Sequence, residues 1–343
     1  MSFIKSVSFP VINLLGTAFL ERITRPSLFI PYHHLVSDSP APYIESLYKF
    51  KNTRQFEDDL DYLLRNFKSI TPSELLESVT KGIPLQHNSF LLTFDDGLRQ
   101  AYEEAAPILL RKGVEAVFFI VPSFLDNNEL FFDFKKGLIL DKLSGRDPGR
   151  MVRLEICKVL MLPEKSLTDL RIKIRAINFL NRGITDNIGQ LLNLDFECFL
   201  KSSRPFMTGN QVKDLIRQGF KVGAHSMNHP FYSLITETSQ LVETRTSISY
   251  ITEKFNLDYK YFAFPHRDIG VRASFFNELA ENEIKTRPDL IFGNQTGKIE
   301  NYPNVFHRFI GENPNIPLQH LIKAIQVYQL ANKVLGRNHL CRN

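Results

Sequence analysis

The sequence predicts an α/β protein built on parallel strands, and three observations carry that reading. Short apolar and β-branched runs alternate with segments of helical periodicity. One strand, helix and strand unit, running from Phe90 through Val121, has the ~30-residue size of a parallel crossover. Polar clusters recur immediately after the strands, at the edge where parallel sheets and barrels build their active sites.

Length and composition bound the answer. The 343 residues are enough for one large core, such as an α/β barrel, or for two ordinary domains, and 43% hydrophobic with 23% charged residues excludes disordered and collagen-like classes. The net charge of +5 comes from 42 basic and 37 acidic residues without a long basic block. It permits an anionic glycan or membrane surface as partner. Basic residues do not form a stripe with interleaved aromatics, so no nucleic-acid role is expected. Cys157, Cys198 and Cys341 fit neither a disulfide framework nor a zinc-finger spacing, which points to a reducing, cytoplasmic setting.

Taken in order, the chain opens with the largely apolar stretch from Phe9 to Leu20, behind Lys5. Asn13 interrupts it and Glu21-Arg22 follows without a small-residue cleavage site, so a cleaved signal is not expected. Residues 1–26 are expected to form an amphipathic helix, packed on the body or making peripheral contact with a bilayer. Leu28-Phe29-Ile30 reads as a buried strand running into Tyr32-His33-His34, and alternation lets only one of His33 and His34 face a barrel mouth. Phe56, Leu60, Leu63, Leu64 and Phe67 recur at helical spacing, and Thr71-Pro72-Ser73-Glu74 is a capping box with proline at the first helical position.

The strand Phe90–Thr93 ends in Asp95-Asp96-Gly97, and a helix follows to Lys112-Gly113 before the strand Val114–Val121. Residues 126–205 break this rhythm and read as an inserted helical cap within one body spanning 27–312. The Thr208–Gln211 capping box then opens a helix closed by Gly219. Next come the strand Phe220–Ala224 leading into His225-Ser226-Met227-Asn228-His229-Pro230, a helix from Thr236 to Phe255, and the strand Tyr259–Phe264 leading into Pro265-His266-Arg267-Asp268. A helix at 274–281, strands near 290–293 and 304–310, and a closing helix in the last segment, 313–343, complete the chain.

Two adjacent carboxylates at a strand end repel each other and need a cation, a shared proton or full solvation. For Asp95-Asp96-Gly97 alone, a solvated turn with an aspartate as N-cap is the alternative. The histidine pair changes the balance. A catalytic metal commonly takes two histidines and one carboxylate, and Asp96, His225 and His229 supply that set.

These stretches resemble the polysaccharide deacetylase family, also called the NodB-homology or carbohydrate esterase family 4 deacetylases. Thr93-Phe94-Asp95-Asp96-Gly97 is similar to its first motif and His225-Ser226-Met227-Asn228-His229-Pro230 to its second. The resemblance implies a deformed (β/α)7 TIM-like barrel in which Asp96, His225 and His229 bind a divalent metal, with zinc expected and cobalt, nickel or iron also compatible. Asp95 would then be the general base, consistent with the loss of basicity of a metal-bound carboxylate. The backbone N–H of His266, in the third motif, would help hold the oxyanion.

Two departures stand out. Many members carry an arginine two residues before the proline of the third motif, where Ala263 stands here; Arg267 and Arg308 are the candidates to replace it. The general acid is the second. Tyr32-His33-His34-Leu35 resembles the N-terminal Tyr-His motif of a permuted subgroup similar to poly-N-acetylglucosamine deacetylases, so His33 is expected as the acid, ahead of His307. The implied activity is metal-dependent removal of N-acetyl groups from a sugar of a polysaccharide or glycan precursor. Hydrolysis of another amide or an O-acyl ester is the nearest alternative. A catalytically silent carbohydrate-binding relative is the other, and an intact Asp95 argues against it.

Overall fold

A computed structural model describes residues 27–145, 147–281 and 285–342; the expected helix over 1–26 lies outside them. The chain begins with β1 (Leu28–Phe29), β2 (Pro31–His33), α1 (Pro42–Glu45), α2 (Thr53–Asn66), β3 (Lys68–Ser69) and α3 (Pro72–Lys81). It continues with β4 (Ser89–Phe90), β5 (Leu92–Phe94), a π-helical turn at Ala101–Ala105, α4 (Ala106–Lys112) and β6 (Ala116–Ile120). The insertion holds α5 (Phe132–Gly145), α6 (Arg150–Val159), α7 (Leu167–Arg175), α8 (Ile184–Leu191) and α9 (Phe196–Ser203). The remainder is α10 (Gly209–Arg217), β7 (Lys221–Ala224), α11 (Glu237–Phe255), β8 (Tyr261–Ala263), α12 (Ala273–Glu281), β9 (Leu290–Gly293), β10 (Val305–His307), β11 (Phe309–Ile310) and α13 (Leu318–Val334).

The main sheet has the order β10-β9-β8-β7-β6-β5-β2-β11, with every pair parallel. Its two end strands are successive halves of one run, separated only by Arg308. The first half pairs with β9 and the second with β2; the Arg308 N–H donates to the Gly293 carbonyl at 2.9 Å and the Phe309 N–H to the Ile30 carbonyl at 3.1 Å. The eight segments thus act as seven staves of a nearly closed barrel, and Arg308 sits at the seam. A small parallel sheet, β1-β4-β3, lies at the end where β1 and β4 lead into β2 and β5.

Both faces of the barrel wall are apolar, as expected for parallel strands covered by helices. Ile30, Leu91, Val117, Phe119, Ala263 and Phe292 pack in one cluster, while Phe29, Leu92, Phe94, Phe118, Val222 and Phe262 pack in another with residues of the surrounding helices. The expected capping boxes at Thr71 and Thr208 are formed, and Asn52 with Gln55 adds a third. Each lets a side chain satisfy backbone N–H groups that the first helical turn leaves without partners.

The insertion has a core of its own, in which Ile139, Leu140 and Leu143 of α5 meet Ile156, Leu170, Ile174 and Ile188. It is tied to the barrel where α1 crosses α5. A Cβ at Gly137 would lie 1.9 Å from the Tyr43 carbonyl oxygen, so the two backbones approach closely only because residue 137 is glycine. Among the described residues, no helix is long and apolar enough to cross a membrane.

Candidate metal centre and catalytic cleft

The ends of β5 and β7 deliver Asp96, His225 and His229 to one point, with all three ligand atoms within 4.8 Å of one another and all three residues buried. His229 Nε2 lies 3.0 Å and His225 Nε2 3.5 Å from Asp96 Oδ1. Asp96 Oδ1 and His229 Nε2 nevertheless have no aligned hydrogen-bond partner among the described residues. Buried polar atoms left in that state are costly, and a shared cation would satisfy them. The donor set therefore fits a divalent metal of the zinc type.

Supporting contacts aim the ligands. His225 Nδ1 is 2.9 Å from the Ala263 carbonyl, so it carries the proton and leaves Nε2 bare toward the centre. Glu243 accepts the backbone N–H groups of Met227 and Asn228 at 2.9 and 2.8 Å, which staples the loop carrying His229. Burial pushes the His225 imidazole down to about 4, keeping it neutral as a ligand must be. Burial disfavours the charged form of Asp96, but the facing His229, with His34 and His225, holds its carboxyl well below the usual range. Positive φ angles at Asp96 (68°), Ser226 (62°), His229 (56°) and His266 (53°) concentrate backbone strain here.

Asp95 is held apart from this set. Arg308 grips it through two parallel bonds, Nη1 to Oδ1 at 2.6 Å and Nη2 to Oδ2 at 2.8 Å, while Nη1 also reaches Thr93 Oγ1 at 3.1 Å. Both partners are buried, and the guanidinium lies 4.8 Å from the Tyr32 ring centre. The desolvation that would raise the Asp95 pKa is overcome by Arg308 and His225, and the carboxyl stays below its ordinary value. Of the two candidates to replace the arginine absent at Ala263, the pairing is thus made by Arg308, from the opposite side of the barrel in sequence.

His33 does not face the cleft. It pairs in register with Phe94 and, like Phe94, turns outward: its ring packs 5.2 Å from Phe56 of α2 and 5.7 Å from Phe94. The neighbour Tyr32 pairs with Thr93 and turns inward. The alternation rule holds with the opposite parity, and the histidine that lines the cleft is His34. Its Nδ1 lies 2.9 Å from Glu312 Oε1, and its backbone N–H donates to Glu312 Oε2 at 2.8 Å. Burial opposes charge on His34, but the Glu312 carboxylate, its hydrogen bond and the two aspartates outweigh it, raising the pKa to about 10.

His307 is also away from the cleft. Its Nδ1 accepts the Gln295 N–H at 3.1 Å, so Nε2 donates to Glu300 at 3.1 Å. With Asp268 these residues form a second carboxylate and histidine trio, but the Arg342 guanidinium bonds both Asp268 and Glu300 and supplies its positive charge. His266 sits at the rim of the metal centre: its ring stacks on Phe231 and meets His229 edge-on at 4.4 Å, while its carbonyl accepts from Asn294 Nδ2 at 2.6 Å. Burial keeps that imidazole neutral.

The cleft above these groups has a volume of about 300 Å³. Tyr48 lines it, together with Phe131, Asp133 and Phe134 from the start of the insertion. The Tyr48 hydroxyl is buried without a hydrogen-bond partner among the described residues and so is free to meet a polar ligand, whereas Asp133 Oδ1 is held in an ion pair by Lys136. Sequence reasoning did not single out Tyr48, Asp133, His34 as the inward histidine, or Glu312; Tyr48, Asp133 and Glu312 lie in no motif, and only the folded chain brings all four together.

The family model described as polysaccharide deacetylase matches residues 83–153 and 172–285, and so covers both aspartates, the two histidines and His266. No curated protein matches in sequence. Among solved structures, the Streptococcus pyogenes deacetylase PplD in complex with acetate has a TM-score of 0.53 at 14% identity, covering 87% of this chain and 97% of that one. IcaB from Ammonifex degensii has a TM-score of 0.52 at 17% identity, covering 88% and 97%. BC0361, a polysaccharide deacetylase from Bacillus cereus, has a TM-score of 0.50 at 12% identity, covering 87% and 68%. At these identities the structural likeness establishes the barrel alone, whereas the family model spans more than half of the sequence. The chain belongs to the polysaccharide deacetylase family, hydrolases that act on the carbon–nitrogen bond of amides.

Proposed function

We propose that this protein removes N-acetyl groups from an N-acetylated sugar of a polysaccharide or glycan precursor, with a divalent metal, most suitably zinc, held by Asp96, His225 and His229. The observation that carries the reading is the separation of the two aspartates: Asp96 converges on the buried histidines, while Asp95, 3.7 Å from His225 Nε2, is kept by Arg308 as an unligated base. A sugar-binding module would have no use for that second buried carboxylate.

When bound, the ion supplies Lewis acidity, polarising the amide carbonyl and acidifying the attacking water. Asp95 takes the proton from that water, and the two-point grip of Arg308 fixes its oxygens at some expense of basicity. The His266 backbone N–H stabilises the developing oxyanion. His34, protonated at neutral pH through Glu312, gives its proton to the departing amine, so that the carbon–nitrogen bond breaks to a neutral amino sugar and acetic acid, which ionises to acetate in solvent. The roof formed by Phe131, Asp133 and Phe134 limits solvent access and contacts the sugar. Localisation in the cytoplasm, with peripheral membrane contact through residues 1–26, remains part of the proposal.

Metal analysis of the purified protein, followed by acetate release from N-acetylated oligosaccharides before and after chelation, tests it. One equivalent of metal and chelator-sensitive acetate release are expected. Bound metal with no acetate from any N-acetylated sugar would sink the assignment in favour of another amide or ester.

A further inference from the structure

Beside the catalytic cleft, the barrel seam opens a second cavity of about 340 Å³, within the ~300–1,000 Å³ range of small-molecule sites. The two spaces share Tyr32, Arg267 and Asn294 among their lining residues. The far wall is apolar, formed by Ile316 with Leu321 and Ile325 of α13, and Ile269 stands among its lining residues. Its lining carries three cations, Arg267, Lys298 and Arg308, and no aspartate or glutamate among the described residues lines the cavity.

The charges there are incompletely answered. Arg267 is exposed and has no ion-pair partner among the described residues, and Lys298 donates to the backbone carbonyl of Arg337 without meeting a carboxylate. Arg308 commits Nη1 and Nη2 to Asp95, but its Nε–H is buried and lacks an acceptor. A neutral polysaccharide would answer neither the cations nor the apolar wall. An occupant that suits both must be anionic where it leaves the catalytic cleft and apolar beyond.

We propose that the cavity holds the aglycone of the substrate, an alkyl phosphate joined to the N-acetylated sugar. Phosphate is the linkage that can be esterified to both a sugar and an alkyl chain and still keep a negative charge, whereas a carboxylate so esterified would be neutral. Arg267 and Lys298 neutralise it, and the alkyl chain lies along Ile316, Leu321 and Ile325. This inference rests on the deacetylase reading and narrows its substrate to a lipid-linked precursor.

The test uses the metal-loaded full chain and acetate release from three probes: an N-acetylglucosaminyl decyl phosphate, a neutral decyl N-acetylglucosaminide, and a soluble N-acetylglucosamine oligosaccharide. The alkyl phosphate is expected to exceed the oligosaccharide in kcat/KM by at least about tenfold, the lower end of what apolar pocket contacts contribute. Lys298→Glu should lower kcat/KM for the alkyl phosphate by about tenfold through charge reversal and leave the two neutral probes unchanged. Ile316→Trp, filling the cavity, should reduce both decyl probes and spare the oligosaccharide. Oligosaccharide cleavage without preference for the alkyl phosphate, or a Lys298→Glu variant that treats all probes alike, overturns this inference and leaves the deacetylase reading standing. Loss of all three activities in the unmodified enzyme overturns both.

Discussion

Replacing Glu312 by glutamine removes one charge and almost no volume, and the consequence can be worked from the His34 contacts. Glu312 meets His34 at the ring and at the backbone, at 2.9 and 2.8 Å, and leads the interactions that lift the imidazole pKa against the effect of burial to about 10. An adjacent opposite charge is worth roughly 1–3 pKa units, so the variant should titrate at about 7–9. Because His34 acts in its protonated form, a lowered pKa draws the alkaline limb of the pH–rate profile downward. A three-unit fall would displace the alkaline limb downward by about three pH units and a one-unit fall by about one. A bound dication cancels the help His34 receives from Asp96 in both proteins, so the difference between them survives. The assay is kcat/KM for acetate release across pH, with metal content measured alongside. Coincident alkaline limbs in the two proteins, at equal metal loading, would refute the role given to His34 and Glu312.

The other predictions separate base, ligand, anchor and packing roles. Asp95→Asn should keep its metal and lose about 10²–10⁴ in turnover, whereas Asp96→Ala should lose both metal and activity, as read by elemental analysis and acetate release. Arg308→Ala strands the buried Asp95 charge and should cost about 3–5 kcal/mol of stability, visible in denaturant unfolding; Arg308→Lys should recover part of that stability but not the two-point grip, leaving kcat low. His34→Ala should depress turnover by about 10²–10⁴ with metal retained. His33→Ala should instead lower Tm, through the space opened beside Phe56 and Phe94, while kcat and metal binding stay near those of the unmodified protein. Normal turnover in His34→Ala together with loss in His33→Ala would reverse that assignment.

The local chemistry of the candidate metal centre is legible because it lies in contiguous stretches. Asp95-Asp96-Gly97 and the His225 to Pro230 segment each follow a recognisable apolar strand, and a charge pair at such a place has few explanations. Helix starts at Thr71 and Thr208 are legible for the same reason: a capping box closes over four residues and needs nothing from elsewhere. The strand near 304–310 is legible as one run, yet its change of partner at Arg308 is invisible, since it depends on β2, almost at the other end of the described chain.

Which of His33 and His34 faces the cleft could not be read from the sequence, for a physical reason. In a half-exposed strand, polar residues mark the outer face, but this wall is apolar on both sides, and Leu28-Phe29-Ile30 carries no sign of which residues point inward. Register supplied the sign, by setting Tyr32 against Thr93 and His33 against Phe94.

From its sequence alone, this protein determined its class of barrel, its family, the candidate metal-ligand set and the second aspartate beside it, because each resides in short-range order along the chain. Tertiary structure alone decided which histidine enters the cleft, that Arg308 pairs with Asp95, that Glu312 pairs with His34, and that Arg342 occupies the acidic trio around His307. Those are contacts between residues as much as 278 positions apart, made by closing the barrel, and no local pattern encodes them.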